Sequence, residues 1–130
     1  MLDTFGSISE SEGAGMTERE ERLLAYWHNK MNLEYPLEAD FLKDAKAFCE
    51  MLGKSCLVVR EAAATKNGVA DLLLCYNGRF IACELKRIGG VPSPQQLKFI
   101  DKTIKAGGLG AVCRNLADIW KLIERTAPES

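Results

Sequence analysis

Apolar and polar positions along this chain change period several times, and each change marks an element. Thr17-Glu18-Arg19-Glu20 fits a capping box and opens a helix carrying Leu23, Leu24, Trp27 and Met31. A second helix is predicted from near Pro36 to Gly53, with Leu37, Phe41, Ala45, Phe48 and Leu52 at helical spacing and Gly53 as a C′ residue. Ser55 to Glu61 (SCLVVRE) reads as a strand. Asp71 to Lys86 (DLLLCYNGRFIACELK) reads as two strands joined by Asn77-Gly78. An Asn-Gly pair between apolar runs is a strong hairpin signal, because both residues tolerate the positive φ of a type I′ turn. Beyond Gly89-Gly90, a helix is expected from Pro94 to about Ala106. Leu109 to Cys113 (LGAVC) is a short strand, and Asn115 caps a last helix with Leu116, Ile119, Trp120 and Ile123.

The predicted order is therefore ααβββαβα. One hairpin face carries Leu73, Cys75, Phe80 and Ala82; the other carries Leu72, Leu74, Ile81 and Leu85. A sheet apolar on both faces needs cover on both, and helices are the usual cover. The strand–helix–strand run from 80 to 113 is expected to be a parallel crossover. The fold class expected is α/β, a mixed sheet flanked by helices.

Composition changes this picture little. The 130 residues suit one domain. Residues 1–15 (MLDTFGSISESEGAG), rich in Gly, Ser and Glu, read as a disordered leader, native or appended, with 16–130 as the folded domain and Met16 as a native start. No apolar run approaches the roughly 20 residues that span a membrane, and no signal-peptide pattern opens the chain. Five scattered cysteines, no CxxC and a single histidine, His28, disfavour a structural zinc site. Free thiols in a reducing cytoplasm are the expectation. The net charge is −1, yet residues 1–20 hold five acids against Arg19 alone, so the remainder is mildly basic. That balance permits contact with phosphate without demanding it.

The chemistry concentrates at the hairpin's open end. With Asn77 and Gly78 as the loop, Tyr76 pairs with Arg79 and the register sets Asp71 opposite Glu84. Opposed side chains share one face, with Cβ atoms roughly 4.5–5.5 Å apart. Lys86, two residues past Glu84, shares that face. Like charges set opposite each other destabilise a sheet, and a divalent cation is the simplest compensation. Two carboxylates suit Mg²⁺ (or Mn²⁺), which prefers oxygen ligands and keeps several waters. Such an ion would activate a water and neutralise charge on a phosphate, while Lys86 orients the water or stabilises developing charge. A surface Asp beside a Glu–Lys pair is the plainer reading of the same residues.

Gly68-Val69-Ala70-Asp71, Glu84-Leu85-Lys86, Gly89-Gly90 and Ser93-Pro94-Gln95-Gln96 follow in order. Over about residues 36–125 this set resembles the VRR-NUC (virus-type replication–repair nuclease) family of the PD-(D/E)XK superfamily. Ala70 departs from it, standing where the family often has proline. The resemblance implies a restriction-endonuclease-like fold and a Mg²⁺-dependent endodeoxyribonuclease. Asp71 and Glu84 would hold the metal with help from the Leu85 carbonyl, Lys86 would be the catalytic lysine, and Gln96 the helix glutamine of the site. Glu38 matches the family's glutamate early in the helix before the sheet. Stand-alone members resemble small homodimeric Holliday junction resolvases, so branched DNA and a homodimer are the implied partners. The setting implied is the cytoplasm, including that of a bacterial host if the protein is phage-encoded. Trp27 and Met31 are candidates for the dimer surface, with core packing as the other reading of Trp27.

Several of these residues have local roles that need no nuclease. Ser93, Pro94 and Gln96 also spell N-cap, N1 and N3 of a helix. Glu38 suits a helix first turn through the dipole alone. Lys98, Lys102 and Lys105 recur on one helix face and suit either solvent or a DNA backbone. Lys66, Arg87, Lys98 and Lys102 are the expected DNA contacts. Gly68, Gly89 and Gly90 suit either ordinary turns or close approach of a phosphate backbone. No basic patch is interleaved with aromatics, so stacking on single strands is not indicated.

Overall fold

The computed structural model describes residues 18–53, 56–61 and 69–126. Thr17, Lys66, Gly68 and the leader lie outside the described residues, as do the side chains of Leu23 and Leu24. The architecture is mixed α/β: a four-stranded mixed sheet flanked by helices. The elements are α1 (Glu18–Lys30), α2 (Glu38–Met51), β1 (Cys56–Glu61), β2 (Leu72–Tyr76), β3 (Arg79–Leu85), α3 (Pro94–Lys105), β4 (Leu109–Cys113) and α4 (Leu116–Glu124). Their order is the one the hydrophobic pattern predicts. The strands run β1-β2-β3-β4 across the sheet. β1 and β3 are antiparallel to β2, and β4 is parallel to β3.

Asn77 at φ 52° and Gly78 at φ 78° form the hairpin turn. Tyr76 pairs with Arg79, and the register runs without a bulge to Leu72 opposite Cys83. The irregularity falls elsewhere, between Val58 and Arg60 of β1. A bulge there adds a residue to the edge strand and leaves the hairpin intact.

The pleat sorts residues between two faces. Leu72, Leu74, Tyr76, Ile81, Cys83, Leu85, Leu109 and Cys113 point into one core with Phe41, Ala45, Phe48 and Cys49 of α2 and Leu116, Ile119 and Ile123 of α4. Trp27 and Met31 belong to that core and are buried. Their expected place on a dimer surface is therefore corrected: Trp27 packs edge-on against Phe48, 5.5 Å between centroids. α3 covers the opposite face of β3 and β4, with Ile100 beside Gly110 and Ala82. That second cover is partial. Leu57 of β1 is 63 % exposed and Phe80 at the start of β3 39 %, so among the described residues helical cover of this face holds over the later part of β3 and over β4 and not toward β1.

Helix ends follow local chemistry. α2 begins at Glu38, with Leu37 in extended backbone as N-cap. Leu37 is 59 % exposed, a correction to its expected place on the core stripe. It stands ahead of the first turn, where the helical period does not yet apply. The Asn115 side chain accepts from Asp118 N, capping α4 as expected. Among the described residues, no helix is long and apolar enough to cross a membrane.

Candidate active site at the open end of the hairpin

β2 begins at Leu72, so backbone pairing stops one residue short of Asp71. The side chain of Asp71 takes over: Oδ2 accepts from Leu85 N at 3.2 Å. The expected strand pair of Asp71 and Glu84 is thus replaced by a side-chain-to-backbone bond, which still ties Asp71 to the Glu84-Leu85-Lys86 strand end. Ala82 and Glu84 share the α3 face of β3, by alternation from the core residues Ile81, Cys83 and Leu85.

Glu84 is fully buried, and neither of its carboxylate oxygens has a hydrogen-bond partner. Its charge is met by Lys86, whose Nζ lies 3.4 Å from Glu84 Oε2. The same ammonium is 3.8 Å from Glu38 Oε2, which arrives from the start of α2. Lys86 is nearly buried between these two acids, and Asp71 also feels its charge. Burial pushes the Asp71 carboxyl up to about 6, against the pull of the Leu85 amide. Burial, and next the charge of Asp71, push Glu84 up to about 7, with Lys86 opposing. Desolvation favours the neutral acid; the charge of Asp71 adds to it at Glu84, and that of Glu38 at Asp71.

The connection after Lys86 closes the site. Lys86 N donates to Cys113 O (3.0 Å), and Ile88 N donates to Tyr35 O (2.8 Å). The second bond joins the loop after β3 to the segment just before Glu38. Gly90 is buried here: a Cβ on it would stand 3.2 Å from Arg87 O and 3.4 Å from Glu38 Oε2. At this position the glycine serves the close packing of the protein's own site, beyond its expected role in admitting a phosphate.

Gln96 is engaged in a capping box: its Oε1 accepts from Ser93 N at 2.7 Å, and its own N donates to Ser93 Oγ at 3.1 Å. The cap, one of its two compatible expected roles, is formed. Lys98 and Lys102 are exposed on α3, and Lys105 pairs with Asp101 at 2.9 Å. Arg87 is exposed beside Lys86. Two participants escaped the sequence reading. Tyr35 acts through a backbone carbonyl, which no side-chain pattern reveals. Arg114 follows β4, and its Nη1 donates to Arg87 O at 3.2 Å. The parallel pairing of the β3 and β4 ends was the one available signal for it.

Among the described residues, no three His, Cys, Asp or Glu side chains gather as a group able to enclose a metal. Lys86 stands between Glu38 and Glu84 instead. Asp71 and Glu84 are the carboxylates that would hold a Mg²⁺ ion, with water completing its shell, since that ion commonly takes only one or two carboxylates. The observation favouring this fit is the buried Glu84 carboxyl, which has an ion-pair neighbour in Lys86 and no hydrogen bond. A buried acid left without hydrogen bonds is costly unless something else completes it. Compared with protein-family models, curated proteins and solved structures, the chain gives no match.

Proposed function

We propose that this chain is a divalent-metal-dependent endodeoxyribonuclease with a restriction-endonuclease-like fold of the VRR-NUC kind. The observation that carries the reading is Glu84, buried and without a hydrogen-bond partner, beside Asp71 and 3.4 Å from Lys86 Nζ. Asp71 and Glu84 would hold Mg²⁺, which polarises a phosphate and lowers the pKa of a bound water. Asp71 is already oriented by the Leu85 amide, so its geometry does not wait for substrate. Lys86 keeps its ammonium beside Glu84 and Glu38 and would direct donors toward the attacking water and the phosphate oxygens. Glu38 holds Lys86 from the α2 side, and its oxygen faces Gly90 at the loop. Hydrolysis adds water across one phosphodiester: a P–O bond forms to the water oxygen, and the leaving oxygen departs with a proton.

Branched DNA and a two-fold dimer extend this proposal through the family resemblance. With Trp27 and Met31 buried, a dimer would use another surface. The test is cleavage of four-way junction, flap, nicked and linear DNA, with Mg²⁺ and with EDTA, beside Glu84→Ala and Lys86→Ala. Cutting is expected with Mg²⁺ only and lost in both variants. No metal-dependent cutting of any substrate would overturn the enzyme reading, and DNA binding that persists without cutting would leave a binding module.

A further inference from the structure

The exits of β3 and β4 lie side by side, and each is followed by an arginine. Glu84 pairs with Val112 and Leu85 with Cys113, and the bond from Lys86 N to Cys113 O carries the pairing one step further. Val112 shares the face of Glu84, and Arg114 stands just past the end of β4, at the turn that follows Lys86. Arg114 is exposed, and its Nη1 donates to Arg87 O at 3.2 Å. Arg87, also exposed, donates its own Nη1 to Ile88 O at 2.9 Å. Each guanidinium is therefore braced on a backbone carbonyl of one turn. That turn is itself tied down by Ile88 N to Tyr35 O and by Gly90 N to Arg87 O (3.0 Å).

Among the described residues, neither guanidinium pairs with a carboxylate. The nearest acid to the Arg114 backbone, Asp118, accepts from Arg114 N at 2.9 Å and so is engaged at the main chain. Each guanidinium has five N–H donors, of which the structure uses one. Lys86 differs, its charge shared between Glu84 and Glu38. A phosphate arriving at the site therefore finds the lysine partly neutralised and two arginines unneutralised beside it. Braced guanidinia lose less freedom on binding, and their planar fork matches phosphate oxygens.

We propose that Arg87 and Arg114 form a two-guanidinium clamp for a backbone phosphate of the substrate strand, next to the phosphate that is attacked. The clamp rests on the nuclease reading and adds how that site seats its strand. The test is the binding of fluorescein-labelled duplex and four-way-junction DNA in EDTA over a salt series, with Mg²⁺-dependent cleavage measured in parallel. Arg114→Ala is expected to weaken binding about tenfold and to lower the slope of log affinity against log salt by about one. Arg114→Lys keeps the charge and loses the fork, so it should restore the slope without the full affinity. Lys86→Ala should lose cutting. Arg87→Ala should repeat the Arg114→Ala result, and it keeps the test open if Arg114→Ala loosens the turn. Wild-type affinity and slope in both alanine variants, with cutting by the wild-type protein intact, would overturn the clamp and leave the nuclease standing. Equal loss in Arg114→Ala and Arg114→Lys with an unchanged slope would reduce Arg114 to a brace. Failure of the wild-type protein to bind either DNA would remove clamp and nuclease together.

Discussion

β3 carries two environments one residue apart. On one face Ile81, Cys83 and Leu85 are buried among the aromatic and aliphatic side chains of α2 and α4, and nothing there asks for a partner. On the other, Glu84 is just as buried, with a carboxyl that makes no hydrogen bond and an ammonium 3.4 Å away. The first face contributes stability by removing apolar area from water. The second costs stability, because an acid is held where its charged form is disfavoured. Equal burial with opposite consequence separates the part of the strand that builds the fold from the part available for chemistry.

That contrast can be broken most forcefully at Glu84. Glu84→Gln keeps the shape and removes the charge. Under the proposed function it should lower Mg²⁺-dependent cleavage by about a thousandfold, or ~4 kcal/mol in transition-state stabilisation, while the melting temperature in EDTA at pH 8 rises. A variant that cuts normally would show that the buried charge is idle. Across the strand, Ile81→Ala should do the reverse, destabilising the fold by about 2–5 kcal/mol in urea unfolding while leaving the metal dependence of cleavage unaltered.

The pH dependence sharpens the same comparison. The folded chain raises Asp71 to about 6 and Glu84 to about 7, from ordinary values of 3.8 and 4.5. It therefore binds protons more tightly than the unfolded chain, and their contribution is fully present below pH ~4 and lost as pH rises through ~7. In EDTA, the melting temperature should fall between pH 5 and pH 8. Glu84→Gln should flatten that fall, and Mg²⁺ should raise stability at pH 8 more than at pH 5. A melting curve indifferent to both would mean that the two acids titrate normally. The smallest effect is expected at Gly90→Ala, whose added methyl would press on Arg87 O and Glu38 Oε2. It should cost about 1 kcal/mol and change cleavage only a few-fold, readable in a thermal melt and a rate measurement.

Much of this was legible because it is local. Asn77-Gly78 announced a turn geometry few residue pairs accept, and the register to Leu72 and Cys83 followed from it. Asn115 and Ser93 carried their caps in their own side chains. Residues whose roles depend on distant partners were less readable. Trp27 read equally as surface or core and Met31 as surface, and the packing of both against the core decides it. Leu37 had the right spacing, but it precedes the helix that spacing describes. Gln96 carried its cap to Ser93 in the local sequence, whereas a part at the site depends on more distant groups. Arg114 bears on Lys86 only through the parallel pairing of β3 with β4, which no short motif encodes.

The bond from Ile88 N to Tyr35 O spans chain segments far apart in sequence. It closes only when the hairpin, the α1–α2 connection and the core between them are all in place. Contacts of such long sequence separation are expensive in loop closure and tend to form late in folding. Glu38 would then reach Lys86 near the end of the process, after Glu84 and Lys86 have already met at their shared strand end. Slow hydrogen exchange at the Ile88 amide would mark the molecules that have finished. Under the proposed function, the site would then be complete only once the fold around it is.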